Sequence, residues 1–152
     1  MTWTSLLKKI RSPLGGLNVL KFYIPGRPQA KQRARVTKTG HAYTPKETVN
    51  YENYVKWCFS KEYPDHTPYE GALGMDIYID VPVPMSASKK KRAAMLADEI
   101  RPTKKPDNSN IQKSVEDSLN KIAYLDDKQI VEGKHSKKYN EREGVLVVIY
   151  KV

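Results

Sequence analysis

Of the 152 residues only one, Cys58, is a cysteine. A lone thiol excludes an internal disulfide framework and a cysteine-based zinc site. Long apolar runs are missing as well. The longest unbroken one, Val145 to Tyr150, falls far short of the roughly 20 residues that cross a bilayer. Thr4–Leu7, followed by Lys8 and Lys9, carries too little apolar length for a secretion signal. These absences predict a reducing, cytoplasmic setting and no membrane partner. The third absence is local: from Met1 to Lys46 there is no Asp or Glu, against ten Lys and Arg. The other 106 residues balance at 17 basic and 17 acidic, so the whole net charge of +10 sits in the first third. A one-sided block of that length suits a polyanion. Pro25, Gly26 and Pro28 interrupt it, which argues against a long membrane-bound amphipathic helix and for nucleic acid. Arg27, Lys31, Arg33, Arg35 and Lys38, with Lys104 and Lys105 further on, are the expected phosphate contacts.

What is present is globular: 39% hydrophobic and 29% charged residues. This length suits one small domain with a real core. Residues 1–18 read as a basic, flexible leader and 19–152 as the folded domain. Val19–Ile24 is β-branched and aromatic, a strand stopped by Pro25-Gly26. Arg33–Tyr43 reads as a hairpin turning at Thr39-Gly40. Thr44 as cap and Pro45 at the first position start a helix that runs to about Ser60, with Val49, Tyr51, Tyr54, Val55, Cys58 and Phe59 as its apolar stripe. Leu73–Val83 alternates: Met75, Ile77, Ile79 and Val81 on one face, Asp76, Tyr78 and Asp80 on the other. Ser86–Glu99 and Asn110–Ile122 read as helices. Gln129–Lys138 and Gly144–Val152 read as strands of a terminal hairpin. Interspersed strands and helices predict an α+β fold, a mixed sheet with helices packed on it.

Basic residues grip phosphate but do not cut it. Hydrolysing a phosphodiester calls for neutralised charge and an activated water, which carboxylates holding Mg²⁺ can supply. Acids gather in one stretch: Lys105-Pro106-Asp107, Glu116-Asp117 and Asp126-Asp127. At about 100° per residue, Ile111, Val115, Leu119 and Ile122 form one stripe, and Ser109, Lys113, Glu116 and Asn120 form another. Each acid also has a plain structural reading. Asp107 suits a helix cap, Asp126-Asp127 suit a turn, and Lys113 suits a surface ion pair with Glu116 or Asp117. Tyr43 and Tyr51 suit the core better than base stacking. His41, His66 and His135 are scattered and give no histidine nuclease pattern.

Lys105-Pro106-Asp107-x-x-Asn110-Ile111-x-Lys113, Asp117-Ser118-Leu119 and Leu125-Asp126-Asp127-x-Gln129-Ile130 together resemble the RusA family of Holliday-junction resolvases. Ile24-Pro25-Gly26-Arg27-Pro28, Lys31-Gln32-Arg33-Ala34-Arg35 and Tyr43-Thr44-Pro45 are similar to its phage-type branch, which points to a prophage and a bacterial or phage-infected cell. The resemblance covers roughly 20 to 150 and implies that 19–152 is a resolvase-like nuclease domain. It further implies a homodimer that uses Mg²⁺, with Mn²⁺ as a substitute, and resolves branched double-stranded DNA by paired nicks. By position it implies Asp107 and Asp127 as metal ligands, Lys113 as a catalytic lysine and Asp126 as a lesser ligand. The chain departs from the pattern at Ser109, where the family has a second Asp. A hydroxyl brings no charge to a metal. Glu116, two turns on, is the expected replacement as ligand and catalytic group, with Asp80 as a further candidate. Other readings stay open. The chain is then a DNA-binding module that lost cleavage with that Asp, a nuclease of the Pro-Asp…Glu-x-Lys kind through Glu132 and Lys134, or a basic scaffold.

Overall fold

The computed structural model describes residues 19–152; the expected leader, 1–18, lies outside the described residues. The elements are β1 (Val19–Pro25), β2 (Arg35–Val36), β3 (Ala42–Tyr43), α1 (Lys46–Glu62), β4 (Leu73–Pro82), α2 (Lys89–Leu96), α3 (Asn108–Ser118), a 3₁₀ turn (Asp127–Gln129), β5 (Ile130–Glu132), β6 (His135–Asn140) and β7 (Gly144–Lys151). This is an α+β fold with a single mixed sheet at its centre. Strand β7 lies between β1 and β4, antiparallel to both, and β5 and β6 follow each other along the far side of β4, parallel to it.

The alternation in β4 places Leu73, Met75, Ile77 and Ile79 on the inner face, beside Leu20, Phe22 and Ile24 of β1 and Val145, Val147 and Ile149 of β7. Helix α1 lays Tyr51, Val55, Cys58 and Phe59 on that face, and α3 lays Ile111, Val115 and Leu119 beside them. Burial of this apolar surface is the main drive for closing the domain. A smaller cluster, Leu146, Val148 and Tyr150, lies on the opposite face with Val19, Tyr23 and Tyr78.

The structure corrects several expectations. Helix α1 is capped by Pro45 and not Thr44. Val49 is exposed, leaving the stripe to the other five positions, of which Tyr54 is half-buried. Tyr51 is core as expected, but Tyr43 is 47% exposed on the short β2–β3 arm. There is no terminal hairpin. Gly133, at φ +156, separates β5 from β6, and β4 sits between β6 and β7. The short connection at 141–143 steps over the end of β4, where Asp80 pairs with both Lys138 and Gly144. β4 is apolar enough to demand a neighbour on each edge, and Pro82, without an N–H, ends its ladder where the chain crosses. No helix among the described residues is long and apolar enough to cross a membrane.

Candidate active site

Helix α3 and the turn after it build the site. Asp107 is the N-cap residue of α3, with extended backbone, yet its side chain makes no capping hydrogen bond. Among the described residues its carboxylate meets only the Asn110 amide, Nδ2 to Oδ2 3.4 Å. So the acid is placed by the helix but not consumed by it. The Lys137 ammonium, on β6, fixes the approach to Asp107 by donating to the carbonyls of Lys104 (2.8 Å) and Pro106 (3.0 Å). Asp107 opens onto a cleft of about 480 Å³ that Asn108, Arg101, His135 and Lys137 also line. His135 meets the Asn108 amide at 3.1 Å.

The C-terminal half of α3 holds the charge cluster. Lys113 Nζ donates to Asp127 Oδ2 at 2.9 Å and stands 3.2 Å from Asp117 Oδ1, one helical turn on. Asp117 and Asp126 lie beside Asp127. The Asp127 hydrogen bond holds the Lys113 ammonium above its ordinary pKa, and the Lys113 ammonium pulls Asp127 below the ordinary carboxylate value. Each is the counter-ion of the other.

The Asp126-Asp127 turn is held from both sides. Tyr124, fully buried, donates its hydroxyl to the Glu116 carbonyl at 2.6 Å, tying the turn to the end of α3. Gln129 accepts from the Asp126 N–H at 2.8 Å and donates to the carbonyls of Tyr69 and Gly71 at 2.9 and 3.0 Å. This gives the Asp-Asp-x-Gln spacing a mechanical reason: the glutamine fastens the turn that presents Asp127. Asp126 spends its own carboxylate as a cap, accepting from the Lys128 N–H at 2.9 Å.

The predicted residues therefore divide. Asp127 and Lys113 meet, while Asp107 lies about two turns away at the head of α3. Glu116 bonds within its own helix and lies within charge range of Lys113, Asp127 and Asp117. Its Oε1 accepts from Gln112 at 2.8 Å, and burial raises its pKa. Asp117 is the helix acid that faces the lysine, a partner offered for Lys113 by the sequence but not as a site acid. Asp80 is not part of the site. It is 3% exposed, with a pKa raised by burial, among Asn140, Lys138, Arg142 and Tyr23. Seven residues of strand, about 23 Å, separate it from Leu73, which pairs with Ile130. Glu132 lies 3.4 Å from the Tyr150 hydroxyl of β7, and the Lys134 N–H donates to Asp76 of β4, so both are tied to the sheet.

Lys31, among the expected phosphate contacts, is placed against carboxylates of the protein itself. Its ammonium hydrogen-bonds Asp117 and stands 3.8 Å from Glu52 of α1, while its N–H donates to the Asn110 carbonyl at 3.2 Å. It is a brace within the protein. Arg27, Arg33, Arg35, Lys38, Lys104 and Lys105 are exposed, as a phosphate-contacting set must be.

The donors gathered around Asp127 are all carboxylate oxygens, the right chemistry for a hard divalent cation. As arranged, no three His, Cys, Asp or Glu side chains among the described residues form a set able to hold a metal ion. The Lys113 ammonium closes on Asp117 and Asp127 instead.

An α+β domain presenting a lysine-acid cluster on a helix, an acid at the head of that helix and an exposed basic arm has the parts of a phosphodiester-handling protein. Comparison with known proteins makes this specific. Residues 25–150 match the family model described as "Endodeoxyribonuclease RusA", and the chain belongs to that family. It is also 36% identical over 141 residues to the Bacillus subtilis (strain 168) protein named "Uncharacterized protein YqaN", a match covering 90% of this chain and 99% of that protein. Family membership implies a nuclease of the Holliday-junction-resolving class.

Proposed function

We propose that the protein is a Mg²⁺-dependent endodeoxyribonuclease, with Mn²⁺ as a substitute, that resolves four-way DNA junctions by paired nicks. The observation that carries this is the Lys113–Asp127–Asp117 cluster, assembled from three segments of the family motif on one side of α3. Asp127, with Asp117 beside it as the helix acid in place of Glu116, and Asp107, which must close on them from the head of α3, are the ligands proposed for the metal. When bound, Mg²⁺ supplies a Lewis acid for the phosphate and lowers the pKa of water. The protein's own share is positional. Gln129 and Tyr124 hold Asp127, and Lys137 holds the approach to Asp107. Lys113 stands ready to neutralise charge developing on phosphorus. Arg33, Arg35 and Lys38 carry phosphates without reading sequence. A homodimer suits two symmetric nicks, because a two-fold axis places two equal sites on the junction.

One specific observation favours a second reading. Ser109 stands in the first turn of α3, where the family pattern has an Asp. A DNA-binding module without cleavage follows from it. A nicking assay on a synthetic four-way junction decides. The nuclease reading expects paired nicks with Mg²⁺, none with EDTA, and bound but uncut junction with Asp127→Asn. Junction binding without nicking in Mg²⁺ and in Mn²⁺ would establish the module instead.

A further inference from the structure

The outer face of α1 has no part in the cluster just described. At 100° per residue, Lys46, Val49, Asn50, Asn53, Lys56, Trp57, Ser60 and Lys61 fall on one side of the helix. All are exposed except Lys56, which is partly so. Three are lysines, two are amides and none is acidic; Glu47 and Glu52 flank the stripe. The helix is 17 residues long, about 25 Å. Its N-terminal end follows directly on the exposed basic arm of β2 and β3.

Trp57 is 58% exposed. Tyr54, from the turn before, stacks with it at 6.2 Å between ring centres and 14° between planes. Lys61, from the turn after, holds its ammonium 5.0 Å from the ring centre. Beside the ring runs a groove of about 370 Å³ between α1 and β1, lined by Phe22, Pro25, Trp57, Cys58, Lys61 and Glu62. An exposed indole is costly to leave in water, and tryptophan is common at protein interfaces. Lysine, however, is depleted there, and this face is lysine-rich. Aromatic rings interleaved with cations are what single-stranded DNA uses: a flat ring for a base, ammonium groups for the flanking phosphates.

We propose that the outer face of α1 is a second DNA-contact surface, on which Trp57 stacks an unpaired base while Lys46, Lys56 and Lys61 hold the flanking phosphates. The proposal rests on the DNA-nuclease reading. A branch point supplies bases that are easily unstacked, and Lys61 is long enough to leave the ring for a phosphate as the base takes its place.

The test uses tryptophan emission. The chain has two tryptophans, Trp3 and Trp57, so Trp3→Phe leaves Trp57 as the sole reporter. Titrating that full-length variant with four-way junction in EDTA should quench its emission at the same concentrations at which the junction is retained on a gel. Trp57→Ala should weaken binding by roughly 5- to 100-fold, the range of one base–aromatic stack, while Trp57→Phe keeps most of it. Emission untouched by bound junction, or equal affinity for Trp57→Ala, overturns the proposal and leaves the nuclease reading standing. A mass that doubles with burial of Trp57 in the absence of DNA also overturns it, because the face is then an interface between copies. If wild-type protein neither binds nor nicks the junction, both readings fall together.

Discussion

Replacing Lys31 by Ala separates two roles that sequence alone cannot distinguish. As a phosphate contact, Lys31 would release about one counterion on binding. Its removal would flatten the slope of log K against log salt by about 0.9 and leave folding untouched. The structure places the ammonium elsewhere, on Asp117 and near Glu52. The Lys31 side chain is 34% exposed, that of Asp117 14% and that of Glu52 20%. Exposed ion pairs are worth about 0–1 kcal/mol, and breaking a fully buried one costs about 3–5 kcal/mol. A charge-assisted hydrogen bond at this intermediate depth should contribute about 1–3 kcal/mol. For a domain of this size that lowers the melting temperature by about 2–12 °C. Chemical and thermal unfolding give the stability, and junction binding between 50 and 200 mM salt gives the slope. The expected result is a destabilised protein with an unchanged slope, while Arg35→Ala shows the reverse. A Lys31→Ala protein of wild-type stability whose slope is flatter by about one would refute the brace.

Other substitutions test the site around this brace. Asp117→Asn should cut nicking by about 10²-fold or more, since it leaves Lys113 one partner short, whereas Glu116→Gln, whose carboxylate bonds Gln112, should stay within about threefold; a severe Glu116→Gln would make Glu116 the helix acid of the site. Lys137→Met should lower nicking by about 10- to 100-fold at unchanged junction affinity, because a freed approach to Asp107 misplaces that acid, and equal rates would show that the two carbonyl bonds do not position it. The ion pair sets a pH window. Asp127 titrates below its ordinary value, so its share of stability is present above the unfolded carboxylate value near 4 and is lost as pH falls through the folded value. Lys113 titrates above its ordinary value, so its share is present below about pH 10 and is lost as pH rises through the folded value. With Lys113 half exposed, solvent limits the pair to about 1 kcal/mol or less. The stability gap between wild type and Asp127→Asn should therefore be widest between about pH 5 and 9 and shrink on either side; a gap that grows below pH 4 would contradict the assignment.

The period of the apolar residues made the core legible. Met75, Ile77 and Ile79 at every second position, and Ile111, Val115 and Leu119 at every fourth, are the side chains that meet under the sheet. Local turn chemistry was legible as well, in Gly40 at φ +88 and in the extended backbone of Asp107. Strand partners were not. The apparent hairpin of the last 24 residues looks continuous in sequence, yet β4 lies between its arms, because a strand buried on its inner face competes for two neighbours and nothing in the local pattern records who wins.

The same limit decides the active-site side. Whether a basic residue faces solvent or a carboxylate depends on what the fold brings within about 4 Å. Lys31 and Asp117 are 86 positions apart in the chain. Lys31 and Arg35, both read as phosphate contacts, are placed differently for that reason alone, one on carboxylates and the other in solvent. On α3 the ambiguity is a single residue wide. Glu116 and Asp117 are adjacent and differ by 100° around the helix, so a stripe drawn to include Lys113 at one edge can take either. Lys113 at three residues or four is compatible with both, and the packing of Tyr124 against the end of α3 brings Asp127 to the Asp117 side. An acid at i+4 from the lysine, with a buried tyrosine and a glutamine fastening the following Asp-Asp turn, is thus the arrangement to weigh against the missing carboxylate at Ser109. Whatever cation this site takes must draw Asp127 away from Lys113, so affinity for it should rise when that lysine's charge is removed, even where nicking is lost.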